Sequence, residues 1–327
     1  MSGGPGPPAA VRELLHAVER PGAVAPTLTL RGDVEAIPGL AAWTRWLAGV
    51  TGGRLALLRE GEGSPPGLAV LHGDRGEVAL WTAVPEGPEA PPFLEFLAAL
   101  CPARGSGGPG APGDIPEIRV LVAAGCPHCP HAVRAAARLV AEGRVRRLHV
   151  VDVALFPAEA ERLGITSVPV TVVEGLVLAG VRPVEELARE LRTWGTPEWE
   201  ERVLAAHLDE GRLEAAARRL ERGGAARAFA ALWSRSSFSE RLGLMLAART
   251  ALERAPRALD DAVADLVALL EEGEAGFRGD TADLLGSLGH PGARPALERL
   301  AADPDPELAE VAQEALERLA GGGDGMG

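Results

Sequence analysis

Residues 126 to 129 of this 327-residue chain read Cys-Pro-His-Cys. Two cysteines separated by two residues can close a small disulfide ring. A short apolar run precedes them (Ile118, Val120, Leu121, Val122) and an Ala-rich stretch follows, which places the pair at the start of a helix. The unpaired amides and the positive dipole end of that helix face the first sulfur. The implied chemistry is thiol–disulfide exchange, in which the thiolate attacks, although a free cysteine titrates only at about 8.5. Cys126 is therefore the expected nucleophile. Pro127 and His128 separate the thiols, and an imidazolium or ring N–H of His128 could stabilise the thiolate. Cys129, one helical turn in and more shielded, is expected to attack the mixed disulfide and release the substrate. The strand Ile118 to Ala124 holds no acid to take the Cys129 proton, so water or His131 is expected to do so.

Other uses of these cysteines are weaker. A tetrahedral zinc site usually takes four ligands, whereas Cys126, His128, Cys129 and His131 crowd one loop and one helical turn, with no second CXXC or HXXXH in the chain. No metal is expected. A c-type haem needs histidine directly after the second cysteine, where Pro130 stands. Two inert buried thiols are a further alternative. Cys101 ends an apolar segment (Phe93, Leu94, Phe96, Leu97, Leu100) and reads as a small buried hydrophobe.

The elements that must position the dithiol come in two similar sets. Residues 9–102 read as helix, strand (27–31), helix (37–49), strand (54–58), two strands (67–71 and 78–83) and a closing helix (91–100). Residues 103–113 are Ala-Arg-Gly-Ser-Gly-Gly-Pro-Gly-Ala-Pro-Gly, a flexible or extended linker. The order then returns over 114–194: strand 117–124, helix 127–142, strand 147–153, helix 156–163, strands 169–173 and 176–180, helix 183–193. A right-handed crossover makes the first two strands of each set parallel. The fold class is α/β, two tandem thioredoxin-like folds followed by an all-α domain at 197–320. In that domain the breaks Gly289-His-Pro-Gly292 and Asp303-Pro-Asp-Pro306 resemble those of HEAT repeats, with proline in a first helical turn.

The formal net charge of −13 and the pI near 5.1 argue against nucleic-acid and anionic-membrane surfaces, since the short Arg144, Arg146, Arg147 cluster is too small to reverse the field. Asn, Lys and Tyr are absent and Ala, Gly, Pro and Arg abound, a bias expected of a GC-rich coding sequence, so glycine and proline counts say little about disorder. No uncharged run is long enough to span a bilayer. Met1 to Pro8 has no basic residue leading into an apolar core. The expected compartment is the cytoplasm, where thiols are more often catalytic than structural.

Residues 9–193 resemble the paired thioredoxin-like unit at the N-terminus of the alkyl hydroperoxide reductase flavoprotein, and the protein disulfide oxidoreductases of thermophiles. Leu94-Glu-Phe-Leu97, Cys126-Pro-His-Cys-Pro130, the Gly164 to Val173 segment with its Val168-Pro169 step, and Val181 to Leu191 carry the resemblance. It implies that Cys126 is the interchange nucleophile, Cys129 the resolving thiol and Pro169 a cis-proline facing them. Val168 would offer its backbone to an extended substrate. The first module has no cysteine after its first strand (Arg31-Gly-Asp-Val-Glu-Ala-Ile37), as in the inactive first module of the flavoprotein, and Pro66 would be its vestigial counterpart of Pro169. The Pro-His pair matches oxidising periplasmic relatives, although no secretory signal is expected, which leaves the direction of exchange open.

No flavin or nicotinamide fingerprint follows, so the expected cofactor is none beyond the redox-active Cys126–Cys129 disulfide. Expected partners are a protein thiol or disulfide substrate such as a peroxiredoxin, an external reductase, and a protein bound by the helical domain. Neither nucleic acid nor membrane is expected. The expected activity is thiol–disulfide oxidoreductase. The alternatives are a redox-responsive interaction protein and a glutathione-dependent glutaredoxin, for which no glutathione-carboxylate site is evident.

Overall fold

The computed structural model describes residues 8–59, 65–101 and 115–321, and the chain divides into two units, Met1–Arg192 and Thr193–Gly327. The 103–113 stretch read as a linker lies outside the described residues. The first unit runs α1 (Ala9–Glu19), β1 (Thr27–Arg31), α2 (Leu40–Val50), β2 (Leu57–Arg59), β3 (Gly67–Leu71), β4 (Glu77–Thr82) and α3 (Ala90–Ala99). After the undescribed stretch come β5 (Ile115–Val122), α4 (Cys129–Ala141), β6 (Val145–Asp152), α5 (Pro157–Arg162), β7 (Val170–Val173), β8 (Leu176–Ala179) and α6 (Val184–Glu190).

The two sets of strands form one sheet of eight, in the order β2-β1-β3-β4-β6-β5-β7-β8. Each half repeats the same plan. The first two strands are parallel (β1 with β2, β5 with β6), and an antiparallel hairpin is added beside the first. β7 is buried along its whole length and β4 along nearly all of it, as expected for strands covered on both faces. The halves join where β4 pairs in parallel with β6, Ala79 opposite Leu148 through Thr82 opposite Val151. The strand that would be an exposed edge of the second module is thereby paired by the first.

Two element bounds differ from the sequence reading for local reasons. Pro38-Gly39, with Gly39 at φ +89°, delays α2 to Leu40. The segment Gly125–His128 forms a turn, with Gly125 at φ +78°, so α4 starts at Cys129 instead of residue 127.

The second unit is helical throughout its described residues: α7 (Pro197–Asp209), α8 (Leu213–Glu221), α9 (Ala226–Arg235), α10 (Phe238–Arg254), α11 (Val263–Ala268), α12 (Ala275–Leu288), α13 (Arg294–Leu300) and α14 (Pro306–Gly321). Phe229, Trp233, Leu244, Leu285 and Leu297 lie in its core. The breaks at 289–292 and 303–306 fall between helices. Gly289 ends α12 in the left-handed region, and Asp305 Oδ1 accepts the Glu307 N–H at 3.0 Å to cap α14.

Candidate active site

The dithiol sits where β5 hands over to α4. The Cys126 N–H donates to Ala123 O at 3.2 Å, which tightens the turn. The Cys129 N–H, one of the unpaired amides at the helix start, then donates to Cys126 Sγ at 3.2 Å. Cys126 is half-buried, while Cys129 is fully buried among the Ala-rich face of α4. No disulfide joins the two cysteines in this structure. Pro127, His128 and His131 are exposed. The Cys126 sulfur meets the Cys129 N–H, the Val168 carbonyl and the Cys129 thiol, and the His128 ring is not among these partners.

Val168-Pro169 is a cis peptide, the one such bond among the described residues. Pro66, expected as its counterpart, follows a trans bond. The Val168 carbonyl lies 4.0 Å from Cys126 Sγ. Pro169 is held by its own carbonyl, which accepts the Gly180 N–H at 2.8 Å, and β7 starts directly after it. The fold therefore brings together Cys126, Cys129, Val168 and Pro169 and leaves the two histidines at the surface.

The sequence reading missed an acid. Glu89 lies in the short turn before α3, in the module without a CXXC pair, and that turn packs on α4. Its side chain is buried and Oε1 has no hydrogen-bond partner. Burial, with the charge of Asp152 adding to it, raises its carboxyl to about 7. Asp152 is itself buried at the end of β6, in register with Val122 at the end of β5, and accepts the Ala154 N–H at 2.8 Å. Burial pushes the Cys129 thiol up to about 12. Its hydrogen bond with Cys126 and the negative charges of Cys126 and Glu89 add to this. As a nucleophile Cys129 would need a base, and Glu89 is a carboxyl within electrostatic reach that ionises near neutrality. The one hint in sequence is a glutamate between Pro88 and Pro91, just ahead of an apolar helix. Nothing local ties it to a cysteine forty residues away.

Cys101 is buried and donates to Leu97 O at 3.3 Å, and burial raises its thiol to about 11. It takes no part in the site. Among the described residues, no three His, Cys, Asp or Glu side chains are grouped to hold a metal ion.

The second α/β module is a thioredoxin-like domain, and the family model of the thioredoxin domain matches residues 116–192. No curated protein matches the chain. Solved structures similar to it include a mutant of the alkylhydroperoxide reductase AhpF from Enterococcus faecalis, with a TM-score of 0.47 and 19% identity over 57% of this chain and 99% of that one. The NTD_N/C domain of the same reductase gives 0.45 and 17%, with the same coverage. A protein disulfide oxidoreductase from Aeropyrum pernix gives 0.42 and 20% over 55% of this chain and 89% of that one.

Proposed function

We propose that the protein is a thiol–disulfide oxidoreductase that exchanges a disulfide with a protein partner through Cys126 and Cys129. The observation that carries this reading is the pairing of a half-buried sulfur, facing a backbone N–H at 3.2 Å and the Val168 carbonyl at 4.0 Å, with a fully buried second thiol. In the reducing direction the Cys126 thiolate attacks a substrate disulfide and expels one substrate thiolate, forming a mixed disulfide. Glu89 takes the Cys129 proton, and the Cys129 sulfur then attacks Cys126 Sγ. The second substrate thiolate leaves and is protonated, and the Cys126–Cys129 disulfide holds the two electrons' worth of oxidation until an external dithiol reductase removes it. The oxidising direction is the same path reversed. Val168 supports the substrate strand through its backbone.

The substrate class is a protein disulfide such as that of a peroxiredoxin, in a cytoplasmic setting. Among the described residues, no helix is long and apolar enough to cross a membrane. The helical unit, read as HEAT-like in its last helices, recruits the partner.

The test is turnover of a small aromatic disulfide and of a protein disulfide, with dithiothreitol as donor. Cys126→Ser should abolish both, and Cys129→Ser should accumulate a mixed disulfide seen by mass spectrometry. Undiminished turnover by Cys126→Ser would refute the reading. Turnover retained by Cys129→Ser with glutathione would favour a glutaredoxin, and redox-dependent binding without turnover would favour a switch.

A further inference from the structure

The helical unit carries a cleft of about 460 Å3 between α10, α12 and α14 that the dithiol chemistry does not use. Its lip is an apolar row on α10. Phe238, Leu242 and Leu246 follow one another at four-residue spacing and are 71%, 53% and 43% exposed, while the opposite face of the same helix buries Leu244, Ala247 and Ala251. Met245 and Val311 continue the apolar lining inward. Large apolar side chains exposed in a row beside a cleft mark an interaction site rather than ordinary surface. The space over Gly276 is open, since an added Cβ there would meet nothing within 4 Å.

The rim fixes the partner's charge. Five carboxylates line the cleft against one cation, Arg241. Three of the five have roles already: Asp280 pairs with Arg241 at 2.8 Å, Asp283 pairs with Arg249 and Arg318, and Asp305 caps α14. Glu307 and Glu314, two turns apart on one face of α14, are exposed and have no ionic partner among the described residues. An acidic or neutral segment laid over the apolar row would cover those two charges without compensation, whereas a cationic one would pair them.

We propose that this cleft receives a basic amphipathic helix of the partner protein. Its apolar side chains, at i, i+3/i+4 and i+7 spacing, would lie on Phe238, Leu242 and Met245, and its Arg or Lys side chains would reach Glu307 and Glu314. The inference rests on the reading of the helical unit as the recruiting part of the protein, and supplies the chemistry of what is recruited.

The test uses the full chain and two fluorescent synthetic helices with the same apolar face, one flanked by Arg and Lys and the other by Glu, with binding followed by anisotropy. The basic helix should saturate the protein and bind at least about tenfold more tightly than the acidic one. Leu242→Asp and the pair Glu307→Gln/Glu314→Gln should each weaken it by about tenfold, with unchanged thermal melts because all three positions are exposed. Raised salt should weaken it further. Equal affinity for the two helices, no saturation by the basic one, or indifference to both variants overturns the proposal. So does a concentration-dependent dimer in sedimentation that Leu242→Asp dissociates, which would assign the cleft to a second copy. Turnover of the small aromatic disulfide should be unaffected by Leu242→Asp. Binding without turnover therefore sinks the oxidoreductase reading alone, and turnover without binding sinks the cleft alone.

Discussion

The two thiols of the site differ in what they require. In the proposed exchange Cys126 would meet the substrate half-exposed, whereas Cys129, at about 12, is held protonated by burial and would need its proton removed before resolving a mixed disulfide. Glu89→Gln removes the acceptor while keeping the shape. It should slow decay of the mixed disulfide by roughly a hundredfold near pH 7 and leave the first attack by Cys126 unchanged, as rapid-mixing kinetics with an aromatic disulfide would show. Stability moves the opposite way. The folded state keeps the Glu89 proton up to about 7, whereas the unfolded carboxyl loses it near its ordinary 4.5. Stability from this group is therefore full below 4.5 and is lost as pH rises through 7. Urea midpoints should show Glu89→Gln more stable than the parent above pH 7 and nearly equal to it below 4.5. A parallel pH dependence of the two proteins would remove Glu89 from the mechanism.

Elements hold these residues by packing that crosses the modules. α3 lies on α4, clamped by a two-point ion pair in which Arg134 Nε and Nη2 donate to Glu95 at 2.6 and 3.1 Å, and that packing seats Glu89 against the dithiol helix. A run of charges laces the sheet across the seam: Arg31 to Glu77 at 2.7 Å, Glu77 to Arg147 at 2.9 Å and Arg147 to Glu117 at 2.6 Å. The alternation of apolar residues made the strands legible in sequence, and glycines and prolines marked most of their ends. The start of α4 falls two residues later than the sequence suggests because Pro127 reads as a first-turn proline, a place that Pro130 fills, while Gly125–His128 form the turn that lets Cys126 Sγ take a helix-start amide. In the helical unit α12 crosses α14 closely at Gly286, where an added Cβ would stand 2.7 Å from Ala315 Cα and 2.8 Å from its Cβ. Alanine in a helix interior usually adds about 1 kcal/mol over glycine, but here backbone must shift. Gly286→Ala should therefore destabilise the unit by about 1–3 kcal/mol in chemical denaturation, and a stabilised variant would show that the crossing is looser than described.

At the scale of the whole molecule the two units should respond differently to acid. In the helical unit His207 is buried with Nδ1 unpartnered, and burial together with Arg212 and Arg219 lowers it to about 4. Its unfolded imidazole takes a proton near 6.5, so stability is full above 6.5 and is lost as pH falls toward 4. In the α/β unit His149, lowered by burial to about 4, acts in the same direction, but Glu89 opposes it over much of that range. Urea melts by circular dichroism at pH 7 and pH 5 should show the helical unit losing more, and His207→Gln should flatten its response. An unchanged slope would place the acid sensitivity elsewhere. By itself the sequence determined the dithiol spacing, the order of elements in two similar α/β modules, and the helical region, because spacing, periodicity and turn residues are local properties of a chain. Only the tertiary structure decided that β4 pairs with β6, that an acid from the module without a CXXC pair packs on the dithiol helix and acts on Cys129 through its charge, that His128 stays at the surface, and that α10 exposes an apolar row beside acidic α14. Each of these depends on which distant surfaces pack together, a choice made by complementary shape and burial across tens of residues that no local pattern records.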